Sequence, residues 1–350
     1  MVIRVVHDPD GHRLVGDSPV VTTVNRYLSH LGTRNYSPAT VRAYAFDLAN
    51  FVGFLGERQL TLEQVRPSDL FDYLDWQAHR PPSSTSKVVR IDRARRVALA
   101  TMNRRISAVR GLFEYGVTVE LRPDNPVPAA RRATGLRATR HGLLGHLGAG
   151  RPRGGGQLVR ETHRLPESLE MHDVTVFLAD LWTHRDRAIV LAMVLGGLRS
   201  AEVRSLQLAD VDMGLQRLRV RGKGGRERVI PVDAAFFNEC SAYLRTERPR
   251  GCATPECFVV LRGPTSGAAM TEAGLRKVFR VHRVSSGALR VRPHRLRHTY
   301  GTELASAGID LLVLRDLMGH ASPEATAIYV HLSPETLAVQ YASARKAMQR

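Results

Sequence analysis

The segment LQRLRVRGKGGRERVIPV (215–232) decides the fold class, because its pattern is that of two strands inside an otherwise helical sequence. Apolar and charged residues alternate on both sides of a glycine-rich turn, which is typical of an antiparallel hairpin. Lys223 lies at the tip of that turn. The sequence therefore predicts a mainly α fold with a small β-hairpin or sheet, that is, an α+β domain.

Helical patterns lie on both sides of the hairpin. Upstream, residues 166–198 contain two helical segments, and the second is so apolar that we expect it to be buried. Downstream, helical patterns resume at residue 271 and continue almost to the C-terminus. We expect residues 166–350 to form one domain that ends in a C-terminal helix.

A second helical region occupies residues 18–129. Ser18 and Ser37 are each followed by proline, and serine before proline is a helix-start signal. After Ser37, apolar residues recur at three- and four-residue spacing and define one stripe. They are Val41, Tyr44, Leu48, Phe51 and Leu55. The pattern predicts a small helix bundle, preceded by an N-terminal tail at residues 1–17.

The predicted bundle and the domain that follows it are joined by a basic segment, residues 130–165. Most of it, RRATGLRATRHGLLGHLGAGRPRGGGQLVR (131–160), holds seven arginines, eight glycines and no acidic residue. Such a composition does not favour a packed core and is typical of a linker. We expect it to lie along a polyanion rather than to serve only as a tether.

The net charge points to the same class of partner. The formal charge is +18, and residues 81–160 hold 16 Lys and Arg against four Asp and Glu. Such an excess favours a nucleic acid, since neutralised phosphates release counterions. A GC-rich genome accounts for much of the preference for arginine (47, against four lysines) but not for the net charge. The candidate DNA contacts are Arg104, Arg105, Arg110, Arg131 and Arg132.

No apolar run reaches the length of about 18 residues that a membrane span needs. The N-terminus is too acidic for a signal peptide, and three cysteines do not suggest a disulfide framework. We therefore expect a cytoplasmic, nucleoid-associated protein.

The segment PHRLRHTY (293–300) allows three interpretations. His294 and His298 have the spacing of zinc ligands on one helix face, but Arg295 stands where a metalloprotease helix needs glutamate. On a helix, His294 and Arg297 share a face suited to a phosphate, after a proline at the first turn. Tyr300 falls on the side of the apolar residues, which favours a place in the core over a role as nucleophile. We expect no metal.

Two further segments carry candidate residues that are ambiguous when taken alone. GGLRSAEVRSL (196–206) places Arg199 directly after the buried helix, with Glu202 three residues later. LMGHASPEATAIYVHL (317–332) contains His320 and Tyr329. A lone arginine at a helix start is commonly a surface residue. A lone tyrosine is more often packed in the core than used as a catalytic residue.

Taken together and in order, these segments resemble the motifs of the tyrosine recombinase (phage integrase) family. The motifs are GLRSAE, GKGGRERVIPV, HRLRHTYGTEL and LMGHASPEATAIY. The N-terminal bundle, with SPATVRAYAFDLANFVGFLG and a closing NPVP, is similar to the family's helical core-binding, DNA-binding domain. The resemblance covers roughly residues 18–345 and implies that residues 166–350 are the catalytic domain.

The resemblance implies a role for each candidate residue. Arg199 and Arg297 would bind the scissile phosphate, and Tyr329 would be the nucleophile. The remaining catalytic positions match Lys223 of the hairpin, His294 and His320. Glu202 would support the first arginine without contacting the phosphate. His298 shares the helix face of His294 and Arg297, and from that position we expect it to support them.

The implied reaction is site-specific cutting and rejoining of double-stranded DNA through a 3′-phosphotyrosyl intermediate, without metal, ATP or another cofactor. The implied assembly is a homotetramer on DNA that exchanges C-terminal helices, with accessory DNA-bending proteins as further partners. The basic insertions favour an integrase of a mobile element. Two alternatives are a type IB topoisomerase-like nicking-closing enzyme and a DNA-binding relative without activity.

Overall fold

The computed structural model describes residues 3–9, 11–79, 97–128, 158–159, 168–222 and 225–320, together with Thr326, Ala342 and Arg345. The chain divides into two compact units, Met1–His163 and Arg164–Arg350. Each has its own apolar core. The expectation of a mainly α fold with small antiparallel sheets is confirmed.

The first unit is a helix bundle with a β-hairpin packed on it. Its four helices in the described ranges are α1 (Pro19–Thr33), α2 (Pro38–Arg58), α3 (Pro67–His79) and α4 (Leu99–Thr118). The apolar stripe after Ser37 faces inward, and Leu48, Phe51 and Leu55 are almost fully buried. The Ser37 hydroxyl accepts a hydrogen bond from the amide of Thr40, whereas Ser18 makes no such bond.

The expectation of an N-terminal tail is wrong, because residues 4–15 form a hairpin of β1 (Arg4–Asp8) and β2 (Gly11–Val15). Leu14 is 1% exposed and belongs to the core of the bundle. Its amide donates to Asn25 Oδ1 at 2.8 Å, and Asn25 Nδ2 donates back to its carbonyl at 2.9 Å. One buried leucine and one bidentate amide thus attach the hairpin to α1.

Part of the expected linker also belongs to the first unit. Leu158 and Val159 pack against the bundle core. The side-chain amide of Asn103 on α4 binds both backbone groups of Val159, at 2.9 and 3.0 Å. The boundary between the units falls at residues 163–164, and Arg131 and Arg132 lie outside the described residues.

The second unit surrounds a buried apolar helix. Its helices in the described ranges are α5 (Met171–Asp180), α6 (His184–Val194), α7 (Ser200–Ser205), α8 (Ala234–Thr246), α9 (Glu272–Ser285), α10 (Pro293–Ser306) and α11 (Leu311–Met318). From Ala188 to Val194, every residue of α6 is buried, as the sequence predicts. Helices α8 and α10 pack on it.

The predicted hairpin is confirmed as part of a three-stranded antiparallel sheet. The strands are β3 (Val211–Asp212), β4 (Arg217–Arg221) and β5 (Glu227–Pro231), in that order. Arg221 pairs with Glu227 at the turn. Lys223 lies outside the described residues. In the ranges that the structure describes, no helix has the length and apolar character of a membrane span.

Candidate active site

Arg199 follows a backbone turn that only glycine can make. Gly197 has a φ of +63°, and a Cβ there would lie 2.5 Å from the ring of Tyr300. The turn ends α6 and starts α7, with Arg199 at the first cap position. The Glu202 carboxylate accepts from the Arg199 amide at 2.9 Å and from Arg199 Nη1 at 2.7 Å. Arg199 and Glu202 are therefore joined by two hydrogen bonds, which agrees with the supporting role that the resemblance implies for Glu202.

A third member of this cluster, Arg228, was missed in the sequence analysis. Its Nη1 and Nη2 donate to the two oxygens of Glu202 at 3.0 Å each. A signal was present: Arg228 alternates with Ile230 on β5 and therefore faces inward, while Val229 between them is 57% exposed. A charged residue at an inward position of a strand indicates a buried ion pair.

These contacts keep Glu202 ionised. Burial by itself raises the pKa of the Glu202 carboxyl, but the hydrogen bonds and charge of Arg228 and the hydrogen bonds of Arg199 outweigh it and lower the pKa to about 2. The carboxylate is 5% exposed. A buried carboxylate with this many charged donors holds the guanidinium groups in place.

Arg297 is the third arginine of the cluster, and it is buried. Its Nη1 lies 3.9 Å from Glu202 Oε2 and donates to the carbonyl of Gly197 at 2.5 Å. Its side chain is 5% exposed, against 40% for that of Arg199. Arg199 is thus the more accessible of the two predicted phosphate ligands, and Arg297 contributes a nearby buried charge.

The three arginines also bind three consecutive carbonyls at the end of α11. Arg228 Nε donates to Leu317 O at 2.9 Å, Arg297 Nη2 to Met318 O at 2.5 Å, and Arg199 Nη2 to Gly319 O at 3.2 Å. The last carbonyls of a helix lack intrahelical partners and carry partial negative charge. This contact fixes the backbone immediately before His320.

His320 is half-buried beside the cluster and neutral at physiological pH. Burial and the charges of Arg297, Arg199 and Arg228 lower its pKa to about 4. Its Nδ1 lies 2.9 Å from the hydroxyl of Thr326, which is fully buried. When Thr326 donates to Nδ1, the ring proton is on Nε2, which can donate to a phosphate oxygen.

The segment 293–300 forms the first half of α10. His294 is exposed in the first turn, whereas His298 is 4% exposed, with its Nε2 3.5 Å from the Thr302 hydroxyl. Tyr300 is 7% exposed and packs with Leu314 and Met318, and burial raises the pKa of its phenol. Tyr300 thus lies in a small core, as its helix position predicts.

The predicted DNA contacts on α4 differ in accessibility. Arg104 is 53% exposed and donates to Asp47 at 2.9 Å. Arg105 is 20% exposed and binds Gln77 inside the bundle, so its guanidinium is less accessible than that of Arg104. Arg110 is half-buried, with Nη2 3.4 Å from Pro128 O.

Three guanidinium groups around one carboxylate leave a net positive charge where Arg199 meets solvent. Such a site can bind an anion and stabilise charge that builds up on it. Tyr329, the predicted nucleophile, lies outside the described residues. No group of three or more histidines, cysteines or carboxylates with metal-binding geometry occurs in the described ranges.

Comparison with known families agrees with this geometry. Residues 168–336 match the phage integrase family, and residues 24–118 match its N-terminal SAM-like domain. The chain belongs to the phage integrase family of tyrosine recombinases. The catalytic match begins at the start of the second unit and includes every residue of the arginine cluster.

The chain matches curated tyrosine recombinases over almost their whole length. XerC of Staphylococcus haemolyticus is 28% identical over 319 residues, which are 89% of this chain and 92% of XerC. XerD of Mycobacterium tuberculosis is 29% identical over 334 residues, or 91% and 95% of the two chains. The chain is similar to these proteins in both domains.

Solved structures show the same fold. XerH recombinase bound to palindromic difH substrate has a TM-score of 0.62 at 19% identity, covering 94% of this chain and 89% of XerH. The Tn1549 transposon integrase with circular intermediate DNA has a TM-score of 0.62 at 16% identity, covering 91% and 98%.

Proposed function

We propose that this recombinase cuts and rejoins double-stranded DNA at a specific site, and that Tyr329 forms a 3′-phosphotyrosyl bond with the cut strand. The observation that carries the proposal is the cluster of Arg199, Arg228 and Arg297 around the ionised Glu202. It occurs in a chain whose residues 24–118 and 168–336 match the two domains of a recombinase family. The matched N-terminal domain favours recombination over simple nicking and closing.

The arginines act on the transition state. As the Tyr329 oxygen attacks, negative charge builds up on the phosphate, and Arg199 and Arg297 stabilise that charge better than they stabilise the ground state. Neutral His320 donates a hydrogen bond from Nε2 to a non-bridging oxygen. Arg297 and Arg199 both donate to carbonyls at the end of α11, directly before His320, which supports a common site for the three groups.

Two proton transfers complete the step. His294, exposed on the first turn of α10, accepts the proton of Tyr329. The bond between phosphorus and the 5′-oxygen breaks, and Lys223 gives that oxygen a proton. The phosphotyrosyl ester retains the energy of the broken phosphodiester, so a 5′-hydroxyl can reverse the step without a nucleotide or a metal.

The assembly on DNA is part of the proposal. Among structural relatives, XerH is bound to its difH substrate and lambda integrase forms a dimer on a core site. We infer a homotetramer on DNA that exchanges C-terminal helices, with accessory DNA-bending proteins at some sites. The net charge of +18 suits a chromosomal or mobile-element DNA partner.

The decisive test is covalent trapping on a nicked suicide DNA substrate. Tyr329→Phe should abolish the protein–DNA adduct while DNA binding persists, and Tyr300→Phe is the matched control that should keep it. EDTA should leave cleavage unchanged. Loss of the adduct in Tyr300→Phe, or none with the unchanged protein on its genuine site, would refute the assignment.

A further inference from the structure

We propose that a cleft in the first unit binds a single unstacked nucleotide, with the base against tyrosine rings and the phosphate on arginine. The cleft has a volume of about 430 Å³ and lies between α1, the start of α2 and α4. The inference rests on the proposed function, since DNA is the expected source of the nucleotide. It does not depend on the cleavage step.

Aromatic side chains from three parts of the bundle line the cleft. They include Tyr27 of α1, Tyr36 directly before α2, Tyr44 of α2 and Tyr115 of α4. The ring centroids of Tyr27 and Tyr115 are 5.6 Å apart, and Tyr36 is 41% exposed. Aromatic rings stack on any nucleobase, because every base has a π-face. The cleft therefore offers a base an aromatic surface that is accessible from solvent.

The Tyr27 hydroxyl lies directly over Gly111 of α4. A Cβ at Gly111 would overlap the Tyr27 oxygen, so only glycine leaves room for this side chain. The hydroxyl has no hydrogen-bond partner within the described part of the chain. Burial, followed by the neighbouring phenols of Tyr44 and Tyr36, raises the pKa of Tyr27. Its hydroxyl is therefore protonated and can donate to a ligand in the cleft.

The charged side chains that line the cleft suit a nucleotide. Among the described residues, they are the guanidinium groups of Arg34 and Arg110 and the carboxylate of Glu114. Arg34 makes no ion pair with any described residue. Guanidinium groups bind phosphate in bidentate geometry, and a carboxylate accepts a hydrogen bond from the amino group of cytosine. The lining thus carries an excess positive charge for the phosphate and an acceptor for the edge of the base.

The cleft adjoins a predicted DNA contact. Ser107 and Gly111 line it from one face of α4, and the exposed Arg104 is three residues before Ser107, on the neighbouring turn. On α2, Asp47 binds Arg104 and follows Tyr44 by three residues. A DNA strand that contacts Arg104 can therefore place a nearby nucleotide in the cleft.

The test uses 5-iodo-2′-deoxycytidine 5′-monophosphate, whose base bonds covalently to an adjacent aromatic ring under near-ultraviolet light. The full-length protein is irradiated with this nucleotide, and the attachment points are located by mass spectrometry of its peptides. We expect attachment at Tyr36, Tyr44 or Tyr115. Unmodified deoxycytidine monophosphate should compete for the site more strongly than ribose 5-phosphate, which lacks a base.

The first variant narrows the cleft. Gly111→Ala displaces the Tyr27 ring and should lower attachment by about tenfold, the scale of one lost contact between a base and an aromatic ring. Gly53→Ala is the matched control, because Gly53 also lies within a helix and a Cβ there meets no atom within 4 Å. It should leave attachment unchanged.

A second variant removes an aromatic ring from the surface, where a change does not disturb the core. Tyr36→Ala should also lower attachment by about tenfold. Phe71→Ala is its control, because Phe71 is 52% exposed on α3 and does not line the cleft. The urea midpoint of each variant shows whether the first unit remains folded.

The source of the nucleotide is distinguished by placing the same iodinated base in a single-stranded and in a duplex oligonucleotide. Attachment from an oligonucleotide to the cleft tyrosines assigns the site to DNA. Attachment from the monophosphate alone assigns it to a free nucleotide.

Three results overturn the proposal: no attachment from any of these probes, attachment scattered over the basic surface, or equal attachment in Gly111→Ala and Gly53→Ala. A protein that gives attachment in the cleft but no phosphotyrosyl adduct would instead refute the proposed cleavage and leave the nucleotide site in place.

Discussion

Each unit buries a carboxylate among arginines, Glu202 in the second unit and Asp47 in the first, and the pKa values of these two carboxyls shift in opposite directions. Glu202 in the second unit binds two guanidinium groups and a backbone amide, and its pKa is lowered to about 2. Asp47 in the first unit is 1% exposed, and burial raises its pKa despite Arg104 and Arg105. Buried carboxylates with arginine neighbours thus show a lowered pKa in one domain and a raised pKa in the other.

The two carboxylates differ in how many of their oxygens accept hydrogen bonds. Asp47 Oδ1 has Arg104 at 2.9 Å and Arg105 at 3.8 Å, but among the described residues Oδ2 has no hydrogen-bond partner. Both oxygens of Glu202 accept charged donors. Burial favours the neutral acid unless hydrogen bonds to the anion outweigh it. The Glu202 cluster therefore keeps an ionised carboxylate that holds its arginines at the proposed phosphate site. The Asp47 cluster instead lies in the interior of the helix bundle.

The largest effect should follow from breaking the Glu202 cluster at Arg297. Lysine cannot donate to both Gly197 O and Met318 O, so Arg297→Lys should slow covalent trapping by about 10²- to 10³-fold. Arg122 of the first unit is the matched control, because its side chain is also buried and donates to backbone carbonyls, those of Leu62, Val65 and Asp124. If Arg122→Lys slows covalent trapping equally, the loss in Arg297→Lys is an effect of replacing any buried arginine and does not identify the Glu202 cluster.

The stability of each unit should respond differently to neutralising its carboxylate. Glu202→Gln leaves guanidinium groups without their anion and should lower the free energy of unfolding of the second unit by about 3–5 kcal/mol. Asp47→Asn removes a charge that is poorly paired and should change the first unit by less than about 1 kcal/mol.

The two tryptophans allow these changes to be measured separately, since Trp76 lies in the first unit and Trp182 in the second. Urea unfolding followed by fluorescence in Trp182→Phe and Trp76→Phe backgrounds reports one unit at a time. Equal losses for Glu202→Gln and Asp47→Asn would show that the two clusters are equivalent.

The pH dependence should have opposite signs in the two units. Glu202 titrates at about 2 when folded and near 4.5 when unfolded, so its contribution is present above pH 4.5 and is lost as the pH falls towards 2. For Asp47 the folded pKa lies above the ordinary 3.8, so its contribution is present below 3.8 and is lost as the pH rises through the folded pKa. Urea midpoints measured at several pH values test both signs. Glu202→Gln should flatten the pH dependence of the second unit, and Asp47→Asn should flatten that of the first unit. If a variant leaves the pH dependence of its unit unchanged, that dependence arises from another titrating side chain.

The sequence predicts the elements because they depend on local spacing, whereas the pairing of Arg199 with Glu202 is implied by the resemblance to the family. Serine before proline, the apolar stripe of α2 and the alternation around Lys223 are all patterns within about 20 residues. The Arg199–Glu202 contact spans three residues, so both partners lie within the one motif that carries the resemblance.

Contacts between distant segments could not be predicted in this way. Arg228 meets Glu202 across 26 residues and Leu317 across 89, and Asn103 meets Val159 across 56. A side chain's partner depends on tertiary packing, which periodicity does not encode. The inward position of Arg228 on β5 nevertheless indicates that some partner must exist.

The smallest expected effect separates the two neighbouring arginines at Asp47. Arg104 is 53% exposed, so it can bind a DNA phosphate while it still contacts Asp47. If it does, Arg104→Ala should lower the slope of log affinity against log salt by about 0.9, the contribution of one phosphate contact. Arg105 is 20% exposed and bound to Gln77, so Arg105→Ala should leave the slope unchanged and instead lower the urea midpoint of the first unit.

Titrating both variants with the same duplex at several salt concentrations gives the two slopes. The reverse result, with the slope reduced only in Arg105→Ala, would mean that DNA binding draws Arg105 out of the bundle and leaves Asp47 to Arg104 alone.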